Sequence, residues 1–117
     1  MILIVDDDPE VRFMLTLWLE ELGHPFEQAA SGEEALDLCA GNRYDAIVLD
    51  QRMPPGLSGI EVAERLRSAG SDVPIVLHSA YLQGDVLSAA DQLGLPTIEK
   101  GDEPGLLATL RVFLGTN

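Results

Sequence analysis

Three short runs, Ile2-Leu3-Ile4-Val5, Ala46-Ile47-Val48-Leu49 and Pro74-Ile75-Val76-Leu77, are apolar without interruption and rich in β-branched side chains. A strand with one wet face alternates, whereas a continuous run suits a strand covered on both faces of a parallel sheet. Helical patterns separate the runs. Val11, Leu15, Trp18 and Leu22 share the spacing of one helix face. Asp8 is positioned to cap this helix, Pro9 suits its first turn, and Gly23 is placed to end it. Ser31-Gly32-Glu33-Glu34 predicts a capping box that opens a second helix running through Cys39. Ile60, Ala63, Leu66 and Arg67 carry a third helix that ends near Gly70; Val86–Leu93 and Pro104–Leu114 read as the fourth and fifth.

Two weaker strands, Phe26–Ala30 and Pro96–Glu99, complete the alternation. Pro25 and Pro96 suit sheet edges or first strand positions, which puts the three apolar strands in the middle. The predicted fold is α/β: a (βα)5 doubly wound parallel five-stranded sheet of order 2-1-3-4-5, the flavodoxin-like arrangement. At 117 residues the chain reads as one domain, 1–117.

Charge narrows the partners. Twenty acidic side chains against seven basic ones leave a formal charge of −13. Nucleic-acid backbones and anionic membrane surfaces both recruit Lys and Arg, so direct contact with either is disfavoured. Apolar residues at 46% argue against disorder. Cys39 stands alone among helical apolar neighbours, which fits packing in a reducing compartment. The apolar runs are too short for a membrane span, and the start lacks a basic leader region. A cytoplasmic location is expected.

Open parallel sheets bind ligands at the carboxyl ends of their strands. Here those ends carry Asp6-Asp7-Asp8, Asp50, His78-Ser79 and Glu99-Lys100. Helix capping accounts for Asp8 but leaves Asp6 and Asp7 unexplained. Two carboxylates about 5 Å apart repel by roughly 3 kcal/mol at an effective dielectric near 20. Asp6, Asp7 and Asp50 therefore call for a cation, and an all-oxygen set suits Mg²⁺ better than Zn²⁺. A carboxylate nucleophile, a Mg²⁺ site, a hydroxyl and a lysine together equip a rim for phosphoryl transfer to Asp.

In this light the chain resembles a response-regulator receiver domain of the two-component phosphorelay family. The resemblance lies in Ile2-Leu3-Ile4-Val5-Asp6-Asp7-Asp8, in Ala30-Ser31-Gly32-Glu33-Glu34-Ala35-Leu36, and in Tyr44 to Pro54 around Asp50. Ile75 to Ala80 and Lys100 extend it across the chain. It implies that Asp50 is the phosphoacceptor. Asp7, Asp50 and the backbone carbonyl of Arg52 would hold Mg²⁺, with Asp6 acting mainly through water. Ser79 would bond the phosphoryl group and Lys100 would neutralise it. A sensor histidine kinase or a phosphotransfer protein would be the donor, and hydrolysis would reset the switch. Any catalysis is then limited to self-phosphorylation and self-dephosphorylation of Asp50. The downstream target or output domain is unspecified, and a phosphorylation-dependent homodimer is compatible with the resemblance.

Three positions depart from the family pattern. The loop Met53-Pro54-Pro55-Gly56-Leu57-Ser58-Gly59 is one residue longer than usual. Gly101 stands where a cis proline usually follows the lysine, which allows Lys100 a more flexible approach. Thr97 stands where an aromatic often sits, so output is expected through Tyr81 or another route. Arg52 and Tyr81 occupy positions that tune phosphoryl hydrolysis in the family, and both are expected to shield the group from water. Phe13 and Leu17 lie opposite the apolar stripe of the first helix; with Met14 at the edge they form a candidate docking patch for the donor.

Rival readings fare less well. Asp6 and Asp8 have the Asp-x-Asp spacing of haloacid-dehalogenase-like phosphatases, but Glu10 does not fit that motif. No Gly-x-Gly-x-x-Gly follows the first strand, which removes dinucleotide binding. The remaining alternative is a receiver-like interaction module that works without phosphorylation.

Overall fold

Ile2–Val5 (β1), Ala46–Leu49 (β3) and Ile75–Ser79 (β4) are buried at every position. The reason is visible in the computed structural model, which describes residues 1–115: both faces of the sheet are covered. Phe26–Ala29 (β2) and Thr97–Glu99 (β5) flank the buried strands, giving a parallel sheet of order β2-β1-β3-β4-β5. This is the predicted topology. The edge strands carry the partly exposed positions, as the flanking prolines indicated.

Side chains alternate between two cores. Leu3, Val5, Ile47, Leu49, Ile75 and Leu77 pack against Gly32–Gly41 (α2), Gly59–Ser68 (α3) and Gly84–Gln92 (α4). Ile2, Ile4, Ala46, Val48 and Val76 face Pro9–Leu19 (α1) and Glu103–Leu114 (α5).

The helix signals hold with local changes. Asp8 accepts from the N–H of Glu10 and Pro9 opens α1. The helix tightens into a 3₁₀ turn at Glu20–Leu22, and Gly23 ends it at φ +64°. Along α1 the deepest line is Leu15 and Leu19, with Val11, Trp18 and Leu22 flanking it. Leu19 was not part of the predicted stripe. It is fully buried because the i, i+4 pair, rather than the i+7 position, lies directly over the sheet.

The expected capping box at Ser31 is only half formed. Ser31 accepts from Glu34 N–H at 3.1 Å, but the Glu34 carboxylate reaches past it to the N–H of Ala30. The complete box is at Ser58 and Glu61, opening α3. The fourth helix begins at Gly84 instead of Val86, two residues nearer the rim.

His78 requires a correction. Its place at the end of β4 predicts a rim residue, but strand alternation turns it to the α1 and α5 side, where its ring meets Trp18 edge-on at a centroid distance of 6.2 Å. It is 1% exposed and its Nε2 has no hydrogen-bond partner. Burial, with help from the Lys100 ammonium and against Asp50 and Asp102, pushes its pKa down to about 4.

Leu19→Ala should lower unfolding stability by about 2–5 kcal/mol through a core cavity, and Phe13→Ala by under about 0.5 kcal/mol, read from urea midpoints. His78 yields a pH signature. Between its unfolded value near 6.5 and its folded value near 4 only the unfolded chain binds the proton. Stability should therefore fall as pH drops through that window. Wild type should lose on the order of 3 kcal/mol more than His78→Leu, at the upper limit; parallel stability–pH curves would refute this.

Candidate functional site

The sheet register delivers the polar rim. Val5 pairs with Leu49, so Asp6 and Asp50 leave neighbouring strands at the same level. Ser79 pairs with Glu99, which places Lys100 beside the end of β4. Asp6 is 1% exposed, Asp50 3% and Ser79 0%, while Asp7 faces solvent. One carboxylate oxygen from each of Asp6, Asp7 and Asp50 lies within 4.8 Å of the others. The Lys100 ammonium sits 3.0 Å from Asp6 Oδ2 and 3.2 Å from Asp50 Oδ2.

Each carboxylate is held by a local donor. Asp6 Oδ1 accepts the N–H of Asp8 at 2.9 Å, and Asp50 Oδ1 accepts the N–H of Gln51 at 2.8 Å. Asp6 Oδ2 is buried, with the Lys100 ammonium as its ion-pair partner. Burial raises the Asp6 pKa and the nearby Asp50 charge adds to it, against the Asp8 N–H and Lys100. Burial alone would lower the Lys100 pKa, but contact with Asp6 and Asp50 outweighs it and the net direction is up.

Gly101 sets the direction of Lys100. The N–H of Asp102 returns to the carbonyl of Glu99 at 3.0 Å, and Gly101 turns the chain at φ +98°. A positive φ at the third residue of a bonded four-residue turn is the glycine position of a type II turn. Lys100 N–H also bonds the Ser79 carbonyl at 3.1 Å. The lysine backbone is thus held by two hydrogen bonds without a proline. The loop after Asp50 turns at Met53–Gly56, where the N–H of Gly56 donates to the Met53 carbonyl at 3.3 Å.

Ser79 Oγ accepts the N–H of Tyr81 at 3.1 Å. Arg52 lies over the Tyr81 ring, 4.8 Å from its centroid. Thr97 pairs with Leu77 in β5 and offers no ring to the rim. Phe13 and Leu17 stand 65% and 50% exposed on α1, with Met14 partly buried at their edge. A hollow of roughly 760 Å³ lies at the opposite end of the strands, among Leu36, Cys39, Tyr44, Arg65 and Val73, away from the carboxylates.

Three supporting residues were not anticipated. Arg12 donates to the Asp6 carbonyl at 2.7 Å and reaches Gln28 at 3.3 Å, bracing β1 against β2. Its signal was available: helix side chains lean toward the N-terminus, and Arg12 is one turn past the cap. Gln51 accepts the N–H groups of Gly59 and Ile60 at 2.9 and 2.8 Å, tying the strand end to α3. A Cβ on Gly59 would stand 2.3 Å from the Asp50 carbonyl, so only glycine lets α3 approach so closely. That approach is invisible before folding.

The chain is 52% identical over 79 residues to response regulator MprA of Mycobacterium sp. (strain KMS), an alignment covering 68% of this chain and 34% of that protein. The chain thus matches about a third of the length of such relatives. Among solved structures it resembles the receiver domain of Francisella response regulator 1452, with a TM-score of 0.88 and 28% identity over 97% of this chain and 95% of that one. It also resembles response regulator TrrA from Thermotoga maritima, solved in complex with Mg²⁺-BeF, with a TM-score of 0.85 and 33% identity over 97% of both chains. Residues 2–109 match the model of the family described as response regulator receiver domain, and to that family the chain belongs.

Proposed function

We propose that this chain is a phosphorylation switch in which Asp50 takes a phosphoryl group from the phosphohistidine of a sensor histidine kinase or phosphotransfer protein. The observation that carries this is the buried Asp50 carboxylate, with the Lys100 ammonium at 3.2 Å and the Asp6 and Asp7 oxygens in the same cluster. A carboxylate oxygen of Asp50 attacks phosphorus as the donor P–N bond breaks, and the imidazole leaves. Ser79 accepts the Tyr81 N–H, which leaves its O–H free to donate to a phosphoryl oxygen. Lys100 is placed to neutralise the new charge.

The donor set fits Mg²⁺. Its ligands are hard oxygens, three carboxylates gather within 4.8 Å, and buried Asp6 Oδ2 is met only by the Lys100 ammonium among the described residues. Asp6, Asp7, Asp50 and the Arg52 carbonyl would hold the ion, which supplies charge neutralisation for the phosphoryl oxygens.

A phosphoryl group adds about −1.5 to −2 charge, which would draw Ser79 inward and shift the surface around α4 and β5. Arg52 and Tyr81 would shield the phosphoryl group. Domain 1–117 would act as one receiver, passing its state to an output domain, a partner or a second copy; Thr116 and Asn117 lie outside the described residues. No helix among the described residues is long and apolar enough to cross a membrane, and a cytoplasmic site of action goes with the kinase partner. The phosphorylation-independent module draws on Gly101 and Thr97; against it stands the turn at Gly101, which supports Lys100 beside Asp50.

With acetyl phosphate and Mg²⁺, intact-mass analysis should show one added phosphoryl on wild type and none on Asp50→Asn or after chelation. Lys100→Ala should be slowed by about tenfold or more. Phosphorylation of the Asp50→Asn protein would refute the acceptor assignment. Phe13→Ser should slow transfer from the cognate donor while leaving acetyl phosphate uptake unchanged; equal slowing of both would remove the docking role.

A further inference from the structure

We infer that the hollow between the C-terminal ends of α2 and α3 is a second binding site, remote from the acceptor. Its ligand is a small carboxylate with an apolar body, of the medium-chain acyl class. The volume of roughly 760 Å³ falls within the range of about 300–1,000 Å³ that holds small ligands. The floor is apolar. Tyr44 and Leu66 belong to the core on the α2, α3 and α4 side of the sheet, and Leu36 and Val73 pack against it. The Tyr44 hydroxyl is already committed, because it donates to the Glu27 carboxylate.

Hydrogen bonds within the chain hold the walls. Arg67 donates to the carbonyls of Ser71 and Val73 at 3.2 and 2.9 Å, fixing the loop after α3. Asn42 donates to the Leu38 carbonyl at 3.0 Å, fixing the chain after α2. A helix C-terminus ordinarily repels an anion through its unpaired carbonyls. At the end of α3 the carbonyls of Arg65, Leu66 and Arg67 take the N–H groups of Ala69, Ser71 and Gly70, so these three are occupied.

Charge selects the occupant. The chain has seven basic side chains against twenty acidic ones. Arg12, Arg67 and Lys100 are bonded to carbonyls or carboxylates, Arg52 lies over the Tyr81 ring, and Arg111 is on α5 across the sheet. Arg43 and Arg65 make no hydrogen bond or ion pair among the described residues, and both line the hollow. Glu61, one turn before Arg65, is taken up by the N–H of Ser58 at 3.0 Å. Two carboxylates share the lining. Asp45 is paired with the Met1 ammonium and lies 4.0 Å from His24, which leaves Asp72 against two guanidiniums. A head group with one negative charge completes that balance. The guanidinium fork matches a carboxylate through two parallel hydrogen bonds, while the floor takes the apolar body out of water.

The test is calorimetric titration with octanoate, octanol and octylamine, which share a tail and differ in the head group. Octanoate should bind saturably and the other two should not. Arg43→Ala/Arg65→Ala should weaken octanoate binding by about tenfold or more, as expected when charge-assisted hydrogen bonds are lost. Arg43→Lys/Arg65→Lys, which keeps the charge, should bind more tightly than the alanine pair. Ala40→Trp, at an exposed lining position, should fill the hollow and abolish binding. Wild-type urea midpoints and acetyl phosphate uptake in each variant will show that the fold and the rim are kept. No saturable octanoate binding by wild type, equal binding of octanol or octylamine, or wild-type affinity in the alanine pair or in Ala40→Trp would each overturn the site. None of these outcomes bears on Asp50 as the acceptor.

Discussion

Two buried carboxylates and one ammonium set the terms for this molecule. Asp6 and Asp50 are nearly inaccessible at the end of adjacent strands, and Lys100 lies within 3.2 Å of both. Like charges at the cluster's spacing of up to 4.8 Å repel by about 3 kcal/mol at an effective dielectric near 20. The lysine offsets part of this, while burial, ahead of the nearby Asp50 charge, keeps the Asp6 pKa raised.

The supporting structure serves that crowding. Arg12 holds the Asp6 carbonyl, Gln51 ties the end of β3 to α3, and Gly59 lets the helix come against the Asp50 backbone. Gly101 turns the chain so that Lys100 enters from the far strand. Each fixes a backbone atom beside the carboxylate and ammonium cluster, which is how a rim of loops keeps the geometry of the rigid sheet beneath it.

The two faces of the sheet are used differently. His78 and Ser79 are consecutive, yet one packs neutral against Trp18 under α1 while the other turns to the rim. Period-2 alternation separates them, and it keeps a titratable ring out of the charged cluster. On the outer side of α1 the exposed Phe13 and Leu17 stand apart from the deep Leu15 and Leu19 line.

Much of this was legible in the residues alone. Continuous β-branched runs require coverage on both faces, so strand identity, parallel order and the convergence of Asp6, Asp50, Ser79 and Lys100 on one rim all followed from local pattern and chain connectivity. What the pattern could not decide depended on close approach between distant segments. The burial of His78, the support Arg12 gives Asp6, the fit of Gly59 against Asp50 and the stacking of Arg52 on Tyr81 each involve atoms brought together by packing. Periodicity specifies which face a residue takes; only the assembled tertiary structure specifies what it meets there.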